Sequence, residues 1–515
     1  MDLLILLHNF RKFFDSIINS ILLWILMKPI TRNLLLALIF AFALGMRLYF
    51  AGQSATFAHE SYFDYRQIAS IRQTGFPVLS DSLSYGGREF LFLPAFHYLL
   101  AFFSLFIPFE SVMRILPNIF SSSIVLVVYL LARQLTKNEY ISLFTSLASA
   151  FIPIHFASNF NSISPLSLQI PLIFLAIYCF AMSKDSKFII LFAVLAFLLP
   201  LIHASAVFLI IAFLLYLALG KIAGYKIEKK QTELILFYVF IALWILLVFF
   251  KKAFLAHGFS IIWQNIPFVI RNQHFARTTI FETILSIGLL PIISGAYACY
   301  LYVLRIKDHL FYLLLSMAIC VLVLIWSRLI TPILGLSFLG IILVIFSGAL
   351  LNIFIKYITK TKFAGLKIIF VSFFILIFML NLLTLTLLFT ANPVIVPESD
   401  FRAVRFLGKQ ALGTVLAPVE LGHVITAVAG QPNVADTSFL LVENAAQRID
   451  DIKTIYETPF QVKAITIMDK YDVRYLYVPQ NKDIPYIEER CFSSIYDGSV
   501  RIYEVRCKAR EVEKS

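Results

Sequence analysis

Long apolar runs alternate with short polar connections over most of the sequence. Between positions 33 and 390 these runs are repeatedly long enough to cross a bilayer, which takes about 20 helical residues. The pattern predicts a polytopic α-helical membrane protein with about eleven spans. The predicted spans are 33–51, 111–132, 140–157, 166–182, 188–201, 204–220, 233–250, 281–304, 310–326, 329–355 and 366–390.

The pattern changes near residue 393, where charged residues become frequent and the apolar runs shorten to strand length. No later segment is long enough to span a bilayer. We therefore expect a transmembrane domain over 33–392 and a small soluble α/β domain over 393–515. Its predicted helices are 400–411, 443–456 and 461–471, and its predicted strands are 473–478 and 499–505.

The N-terminal segment, residues 1–32, is apolar but carries charged residues within the run and lacks a small-residue cleavage site. It therefore does not resemble a signal peptide, and we interpret it as an interfacial helix on the cytoplasmic side. Lys28 and Arg32 precede the first span, and the positive-inside rule places that end of the span in the cytoplasm.

The first outer loop is expected over 52–110 and a second long one over 251–280. The stretch FLFLPAFHYLLAFFSLFIP could be a further span, but Arg133 and Lys137 would then lie outside, so we expect it to lie along the membrane surface. The connections RQLTKN, SKDSK, GKIAGYKIEKK, RIKDH and KYITKTK are then all cytoplasmic. This predicts a multi-pass protein of the cell membrane with an extracytoplasmic C-terminal domain.

The composition is typical of an integral membrane protein: 60% of the 515 residues are hydrophobic and 14% are charged, with a mean hydropathy of +0.86. The net charge of +13 would suit nucleic acid, but the basic residues lie mainly between spans, so we expect no nucleic-acid partner. Neither a Walker loop nor an HExxH motif occurs, which removes support for nucleotide-driven transport and zinc proteolysis.

Two cysteines, Cys491 and Cys507, bracket a hairpin-like stretch in the domain that we expect outside the cytoplasm, where disulfides persist. A two-residue turn at Asp497 and Gly498 would not place the two cysteines opposite each other. The pairing therefore stays open at this point.

Candidate chemistry begins in the first outer loop, which reads FAHESYFDYR. Glu60 and Asp64 are four residues apart, so on a helix their carboxylates share one face. They could bind a divalent cation, Mg²⁺ or Mn²⁺, or act as a general base. The alternative is an ordinary solvated acid that pairs with Arg66.

Two further loops carry groups suited to a sugar and to phosphate. In the loop HFASNFNSISPLSL, Asn159 and Asn161 could hydrogen-bond a sugar, or the loop could simply start the next helix. Arg271, His274 and Arg328 lie on the outer side, where the positive-inside rule disfavours cations. Forked guanidinium donors match phosphate, whereas the alternative is snorkelling toward lipid headgroups.

Together these motifs resemble the GT-C superfamily of membrane glycosyltransferases, in particular the prokaryotic branch related to catalytic subunits of oligosaccharyltransferase. The resemblance rests on HESYFDYR, on YGGR followed by a surface helix, on SRLITPILGLSFLGIILVIFSG and on VLAPVELGHVITAVAGQPNVADTSF. It implies that Glu60 takes part in catalysis or metal binding, and that Arg328 contacts the phosphate of a lipid-linked donor.

The sequence also departs from that family. PVELG stands where oligosaccharyltransferases have the acceptor-recognising WWDYG, and SNFNSIS stands where they have a carboxylate. We therefore expect transfer of a sugar from a polyprenyl-phosphate-type donor to a glycan, lipid or protein acceptor, with Glu60 as base, Asp64 assisting, and Arg328 and Arg271 stabilising the departing phosphate. The alternatives are an oligosaccharyltransferase acting on protein asparagine, a lipid or sugar transporter, and a non-enzymatic scaffold.

Overall fold

The computed structural model describes residues 29–224, 227–268, 270–271, 275, 278–391, 393–480, 482–487 and 490–509. The predicted N-terminal interfacial helix therefore lies outside the described residues, except for residues 29–32, which begin the first helix.

The membrane part is a bundle of helices. Each predicted span is helical over most of its length, and among the described residues eight helices are long and apolar enough to cross a membrane. The helices are α1 Pro29–Gly52, α2 Ser61–Thr74, α3 Ala95–Phe103, α4 Phe109–Ser122, α5 Ile124–Thr136, α6 Glu139–Ala150, α7 Pro153–Ala157, α8 Leu166–Ala181, α9 Ser186–Ile202, α10 Val207–Ala223, α11 Lys229–His257, α12 Ile280–Ile287, α13 Leu289–Leu301, α14 His309–Trp326, α15 Pro332–Ile358 and α16 Lys367–Ala391.

Three predicted spans are interrupted. The first is divided only by the single turn residue Ser123 between α4 and α5, whereas the second divides before Pro153, which has no backbone N–H to continue α6. The third divides at Gly288, whose φ of +103° favours glycine, and an added Cβ would meet Asn381 Oδ1 at 2.9 Å.

Three of the five connections predicted to be cytoplasmic start the next helix with a side-chain cap. An Asx side chain accepts a hydrogen bond from a backbone N–H in the first turn of three helices, which satisfies a donor that the helix itself cannot pair. The capping residues of α6, α9 and α14 are Asn138, Asp185 and Asp308.

Helix α15 lies at the centre of the bundle and packs against α6, α13 and α14. The most apolar stretch of α15 is 78% buried, whereas those of α1 and α16 are only 17% and 11% buried. Helices α1 and α16 therefore lie at the periphery of the bundle. Close approach depends on small residues, because a Cβ on Gly295 would lie 3.1 Å from the carbonyl oxygen of Leu343.

The first loop folds onto the end of the bundle. It contains α2, the short antiparallel pair β1 (Ser80–Asp81) and β2 (Arg88–Glu89), and α3. Helix α3 packs against α2 and exposes Phe102. The stretch that was predicted to lie on the membrane surface is therefore helical only over its central part, Ala95–Phe103.

The C-terminal part is a small α/β domain, as predicted. Its sheet has the order β3-β4-β6-β5, with β3 parallel to β4 and the other neighbours antiparallel. Strand β4 has the predicted bounds, β6 begins two residues later than predicted, and β3 and β5 were not predicted. The elements are α17 Glu398–Leu407, β3 Thr414–Leu416, α18 Gly422–Val424, α19 Ala445–Glu457, α20 Gln461–Lys470, β4 Val473–Val478, β5 Phe492–Asp497 and β6 Arg501–Val505.

Cys491 and Cys507 form a disulfide. The predicted two-residue turn is wrong, because Asp497 pairs with Arg501 and the connection comprises residues 498–500. A shift in register between Ser494 and Tyr496 then brings Phe492 opposite Val505, which places the two cysteines just beyond the paired strands.

Candidate active site

The two carboxylates of the first loop lie at the start of α2 in different surroundings. Glu60 directly precedes the helix and is exposed. The side chain of Asp64 is only 13% exposed, and its Oδ1 accepts a hydrogen bond from His97 Nε2 at 2.7 Å. Burial raises the pKa of Asp64, and the hydrogen bond from His97 opposes this rise. Glu60 is therefore the accessible carboxylate, and Asp64 is a mostly buried neighbour.

Arg66 does not pair with either carboxylate. Its two terminal nitrogens donate to Asp81 at 2.6 and 2.7 Å, and the Asp81 side chain is 1% exposed. The alternative in which Arg66 neutralises an acid of HESYFDYR is therefore wrong. Its guanidinium instead ties α2 to β1 through a bidentate ion pair.

His97 was not predicted as a site residue, because it lies in an apolar stretch that indicated only a surface helix. It belongs to the buried face of α3, and its ring lies edge-on to Phe63 and Phe92. Its Nδ1 is buried and has no hydrogen-bond partner within the described ranges. The one signal in the sequence was an imidazole in an otherwise apolar run.

The residues on either side of Glu60 contact the C-terminal domain. The Val396 N–H donates to the Phe57 carbonyl at 3.0 Å, and the ring centroid of Phe63 lies 5.3 Å from that of His423. Burial lowers the pKa of His59, next to Glu60, and the carboxylate of Glu420 opposes this change. Glu420 is exposed and belongs to the short 3₁₀ turn Val419–Leu421, inside PVELG. Glu60 therefore lies where the first loop meets the C-terminal domain.

A buried network around Asp436 holds these two parts together. Ser84 Oγ donates to Asp436 Oδ2 at 2.6 Å, and Arg88 Nη1 lies 3.4 Å from Oδ1. The Tyr85 hydroxyl donates to the Asp436 carbonyl at 2.6 Å, and Arg88 also donates to the Ser438 carbonyl. The YGGR stretch is thus fastened to the domain by a fully buried carboxylate. Removing one partner of such a pair typically costs about 3–5 kcal/mol.

His423 connects this network to the surroundings of Asp64. Its Nε2 lies 3.0 Å from Ser438 Oγ and 3.5 Å from Asp436 Oδ1, and its ring centroid is 5.3 Å from that of Phe63. Burial lowers the pKa of His423, and Asp436 opposes this most strongly. Neither His423 nor Asp436 was predicted, since nothing in the string VELGHVITAVAGQPNVADTSF marks them beyond their polarity.

Two of the three predicted phosphate-binding residues meet on one tryptophan. The Arg271 guanidinium lies 5.0 Å from the ring centroid of Trp263, and the indole N–H donates to the Arg328 carbonyl at 2.9 Å. Arg328 has a φ of +56° and is partly exposed before α15. The third residue, His274, lies outside the described residues.

This arginine cluster is also attached to the C-terminal domain. Asn265 Nδ2 donates to the carbonyls of Phe439 and Val442, at 3.3 and 3.5 Å. Arg88 Nη2 donates to the carbonyl of Leu440, which lies between them. One segment of the domain therefore contacts both the first loop and the loop that carries Arg271.

The two asparagines predicted to bind a sugar have different roles in the structure. Asn159 Nδ2 donates to the His155 carbonyl at 2.9 Å and also contacts Ser158, so its amide completes the end of α7. Asn161 is buried, yet neither of its amide atoms has a hydrogen-bond partner among the described residues. The Asn161 amide is therefore buried without a partner among the described residues, whereas the Asn159 amide is used within its own turn.

Arg47 and Arg114 lie near helix ends, where arginines often extend toward lipid headgroups, but both are held by contacts inside the protein. Arg47 is 1% exposed, with its guanidinium 4.7 Å from the centroid of Phe156. Arg114 donates to the carbonyls of Ala51, Ser54 and Ala55, which fixes the chain after α1. Neither side chain therefore extends toward lipid headgroups, because each donates to backbone carbonyls of the protein.

No protein-family model matches the sequence, and no curated protein is found to be similar to it. Solved structures are similar in fold. An oligosaccharyltransferase of Archaeoglobus fulgidus in the apo form superposes with a TM-score of 0.69 at 13% identity, over 88% of this chain and 70% of that one. ArnT of Cupriavidus metallidurans bound to undecaprenyl phosphate gives 0.59 at 11% identity, over 91% and 97%.

The complex of the Archaeoglobus protein AglB with an inhibitory peptide and a dolichol-phosphate gives a TM-score of 0.66 at 12% identity, over 86% of this chain and 69% of that one. These likenesses cover both the helical bundle and the small sheet domain. They confirm the predicted fold class, a polytopic helical protein with a C-terminal α/β domain.

Proposed function

We propose, on the basis of the GT-C fold that the chain shares with these proteins, that it is a membrane glycosyltransferase using a polyprenyl-phosphate-type donor. The observation that carries the proposal is the position of Glu60, an exposed carboxylate between residues of the first loop that contact the C-terminal domain. The Arg271 and Arg328 cluster is attached to the same domain through Asn265. A base and phosphate-binding cations are the two parts that such a transfer needs.

The proposed step is a direct displacement at the anomeric carbon of the donor sugar. The acceptor oxygen or nitrogen forms the new bond to this carbon while Glu60 takes the acceptor proton. The bond from the carbon to the carrier phosphate breaks, and its electron pair leaves with the phosphate, next to Arg328 and Arg271. The configuration at the anomeric carbon is inverted. Asp64 assists through its negative charge beside Glu60.

The fold relatives support the choice of donor. Structures of AglB with a dolichol-phosphate and of ArnT with undecaprenyl phosphate show that proteins of this fold bind polyprenyl phosphates. In this chain, forked guanidinium donors would hold the phosphate oxygens. We propose that transfer takes place on the side of the membrane that carries the C-terminal domain, which the positive-inside rule places outside the cytoplasm.

A divalent metal fits this site only in part. The parts of the chain that the structure describes hold no group of three or more His, Cys, Asp or Glu side chains suited to a metal. The Oδ1 atom of Asp64 already accepts from His97, which leaves Glu60 as the accessible carboxylate. Because Mg²⁺ often combines one or two carboxylates with substrate phosphates, the Mg²⁺ or Mn²⁺ that we expect would arrive with the donor. A related Archaeoglobus oligosaccharyltransferase structure contains Zn and sulfate.

The test is sugar transfer by purified Glu60→Gln protein from a polyprenyl-phosphate-linked donor. The change removes the charge and keeps the volume, so transfer should fall by about 100- to 10,000-fold, the usual contribution of a general base. The melting temperature should stay unchanged, because exposed substitutions usually alter stability by less than about 0.5 kcal/mol.

Glu89→Gln is the matched control, since Glu89 is an exposed acid of the same loop that pairs with Lys252. It should transfer sugar at the normal rate. Normal transfer by Glu60→Gln would reduce Glu60 to a solvated acid, and a lowered melting temperature would make it structural.

A second candidate is oligosaccharyl transfer to protein asparagine, favoured by the likeness to an Archaeoglobus oligosaccharyltransferase tethered to an acceptor peptide with an NVT sequon. Against it, PVELG lacks the tryptophans of WWDYG. Transfer to a synthetic sequon peptide, measured beside transfer to glycan and lipid acceptors, separates the two functions. The fold relatives give no support to a transporter.

A further inference from the structure

Positive charge accumulates at the end of α15 that lies away from the candidate active site. Arg328 lies just before the first residue of this helix, whose 27 residues extend over about 40 Å. At the far end, Lys356 lies in the last turn of α15, and three more lysines follow up to the first residue of α16. These lysines, together with the cations at the start of α1 and the end of α5, form what we call the basic sector: Arg32, Arg133, Lys137, Lys356, Lys360, Lys362 and Lys367.

The tertiary structure joins the two connections that carry most of these cations. Asn352, one turn before Lys356, is buried, and its Nδ2 donates to the Thr136 carbonyl at 2.9 Å. Thr136 is the last residue of α5 and directly precedes the exposed Lys137. The connection that follows α5 and the connection that follows α15 therefore contribute to one surface.

The basic sector has little acidic compensation. Glu139, at the start of α6, is shared by two arginines, since its Oε1 lies 2.8 Å from Arg133 Nε and 3.4 Å from Arg32 Nη1. The sequence has no Asp or Glu from residue 309 to residue 397. Within the described ranges, none of the four lysines at the ends of α15 and α16 forms an ion pair. The positive charge of this surface is therefore available to an external anion.

Other connections predicted to lie on the same side of the membrane balance their lysines with acids. Lys184 Nζ lies 3.6 Å from Glu228 Oε1, and Lys229 Nζ lies 3.9 Å from Glu233 Oε1. The positive-inside rule applies to all these connections alike, so it does not explain why one of them lacks acids. The accumulation of charge is thus a local property of the basic sector.

Exposed apolar side chains lie among the lysines and indicate the kind of anion. The exposed fractions of Tyr357 and Phe363 are 68% and 59%. Lysine stems can lie along hydrocarbon while their ammonium groups reach the level of lipid phosphates, and aromatic rings favour the same interface. Helix α16 begins at Lys367 and lies at the periphery of the bundle. A nucleic acid or an acidic protein would meet the ammonium groups but would leave these rings in water.

We propose that the basic sector binds anionic phospholipids and gathers them around the adjoining ends of α15 and α16. The ligand is a phosphodiester head group that its own acyl chains hold at the level of the lysines. Each lysine near such a surface adds to the attraction. Because the sector lies at the far end of α15 from Arg328, the proposal does not depend on the proposed sugar transfer.

The experiment measures which lipids the full-length protein retains from nanodiscs made of equal parts phosphatidylglycerol and phosphatidylcholine with the same tails. Native mass spectrometry counts the lipids that stay bound after release into detergent. The normal protein should retain phosphatidylglycerol in preference to phosphatidylcholine. This preference should fall as salt is raised during the release, because salt screens exposed charges.

Lys360→Gln/Lys362→Gln should lower the retained ratio of phosphatidylglycerol to phosphatidylcholine about tenfold or more, because each lysine near an anionic surface contributes about fivefold in binding. Lys360→Arg/Lys362→Arg keeps both charges and should keep the normal ratio. Both positions are exposed, so the melting temperature of either variant should stay unchanged.

Lys184→Gln/Lys229→Gln is the matched control. It removes the same charge from lysines that have acidic partners, and its lipid ratio should be normal. Equal retention of the two lipids by the normal protein, or an equal fall of the ratio in both glutamine variants, would overturn the proposal. Displacement of phosphatidylglycerol by an RNA oligonucleotide would also overturn it, because the sector would then recognise phosphate without a lipid.

Discussion

The two carboxylates of the acidic motif in the first loop lie in different environments. Glu60 is in water and keeps its freedom to meet an acceptor, whereas Asp64 is withdrawn from water and bound to His97. Taking a carboxylate out of water disfavours its charged form, and a hydrogen bond to the charged form is worth about 1.5–3 kcal/mol in return. The charge that Asp64 can place beside Glu60 therefore depends on His97.

His97→Leu tests this dependence through pH. Burial raises the pKa of Asp64 and His97 opposes the rise, so removing the imidazole should raise this pKa further. If the ionised form of Asp64 assists transfer, the acid limb of kcat/KM should move to higher pH. The sign for stability follows too: a raised folded-state pKa contributes stability at low pH, which is lost as the pH rises through that pKa.

The control is His97→Gln, which keeps an N–H donor for the Asp64 carboxylate. It should restore most of the normal pH profile. A leucine variant with normal activity and an unshifted acid limb would show that His97 does not act through Asp64. Equal loss of activity at every pH would assign His97 a packing role only.

At the scale of elements, the end of one helix and the loop before another bring the arginines together. Trp263 is the last residue of the 3₁₀ turn after α11. Its indole N–H donates to the Arg328 carbonyl, and its ring makes a cation–π contact with the Arg271 guanidinium. Cation–π contacts of this kind contribute about 0.5–2 kcal/mol. The tryptophan thus contacts both the guanidinium of Arg271 and the backbone of Arg328.

Arg328→Ala should weaken binding of the polyprenyl-phosphate donor by about 10- to 100-fold, since a hydrogen bond to a charged group contributes about 1.5–3 kcal/mol. Arg328→Lys should restore it only partly, because lysine lacks the fork that matches phosphate. Titration of the purified protein with donor measures both.

Arg305→Ala provides the comparison, because Arg305 is exposed at the far end of the preceding helix pair, in the connection predicted to be cytoplasmic. Its donor affinity should be normal. An alanine variant at 328 with undiminished affinity would remove the assignment of this residue to the donor phosphate.

At the scale of the molecule, the C-terminal domain and the loops of the bundle form one unit. Asp436 bonds with three residues of the first loop, and the segment that follows it contacts both Arg88 and Asn265. Because the network is buried, its partners are tightly coupled. The candidate active site is therefore assembled from the first loop, the arginine-bearing loop and the domain.

The side of the membrane on which this unit lies is testable by fusion. A reporter that folds only in the cytoplasm should be silent after the C terminus and active after Lys362, in a connection predicted to be cytoplasmic. The Cys491–Cys507 disulfide provides a second measurement, since such bonds persist outside the cytoplasm. Both cysteines should resist thiol reagents until reduced. A bright C-terminal reporter would reverse the topology.

The sequence by itself determined the parts of this protein that depend on local pattern. Apolar runs of bilayer length fix the helices whatever they pack against, and a short apolar run of strand length predicted the bounds of β4. The acidic motif could also be found from the sequence, because Glu60 and Asp64 are only four residues apart.

The tertiary structure alone decided which groups meet. Asp436 lies 348 residues from Arg88, and His97 lies 33 residues from Asp64, so no periodicity links them. The burial of the unpaired Asn161 amide likewise became visible only in the folded structure. The physical reason is that burial, and with it the pKa of Asp64 and the value of each hydrogen bond, is set by whatever distant segment excludes water.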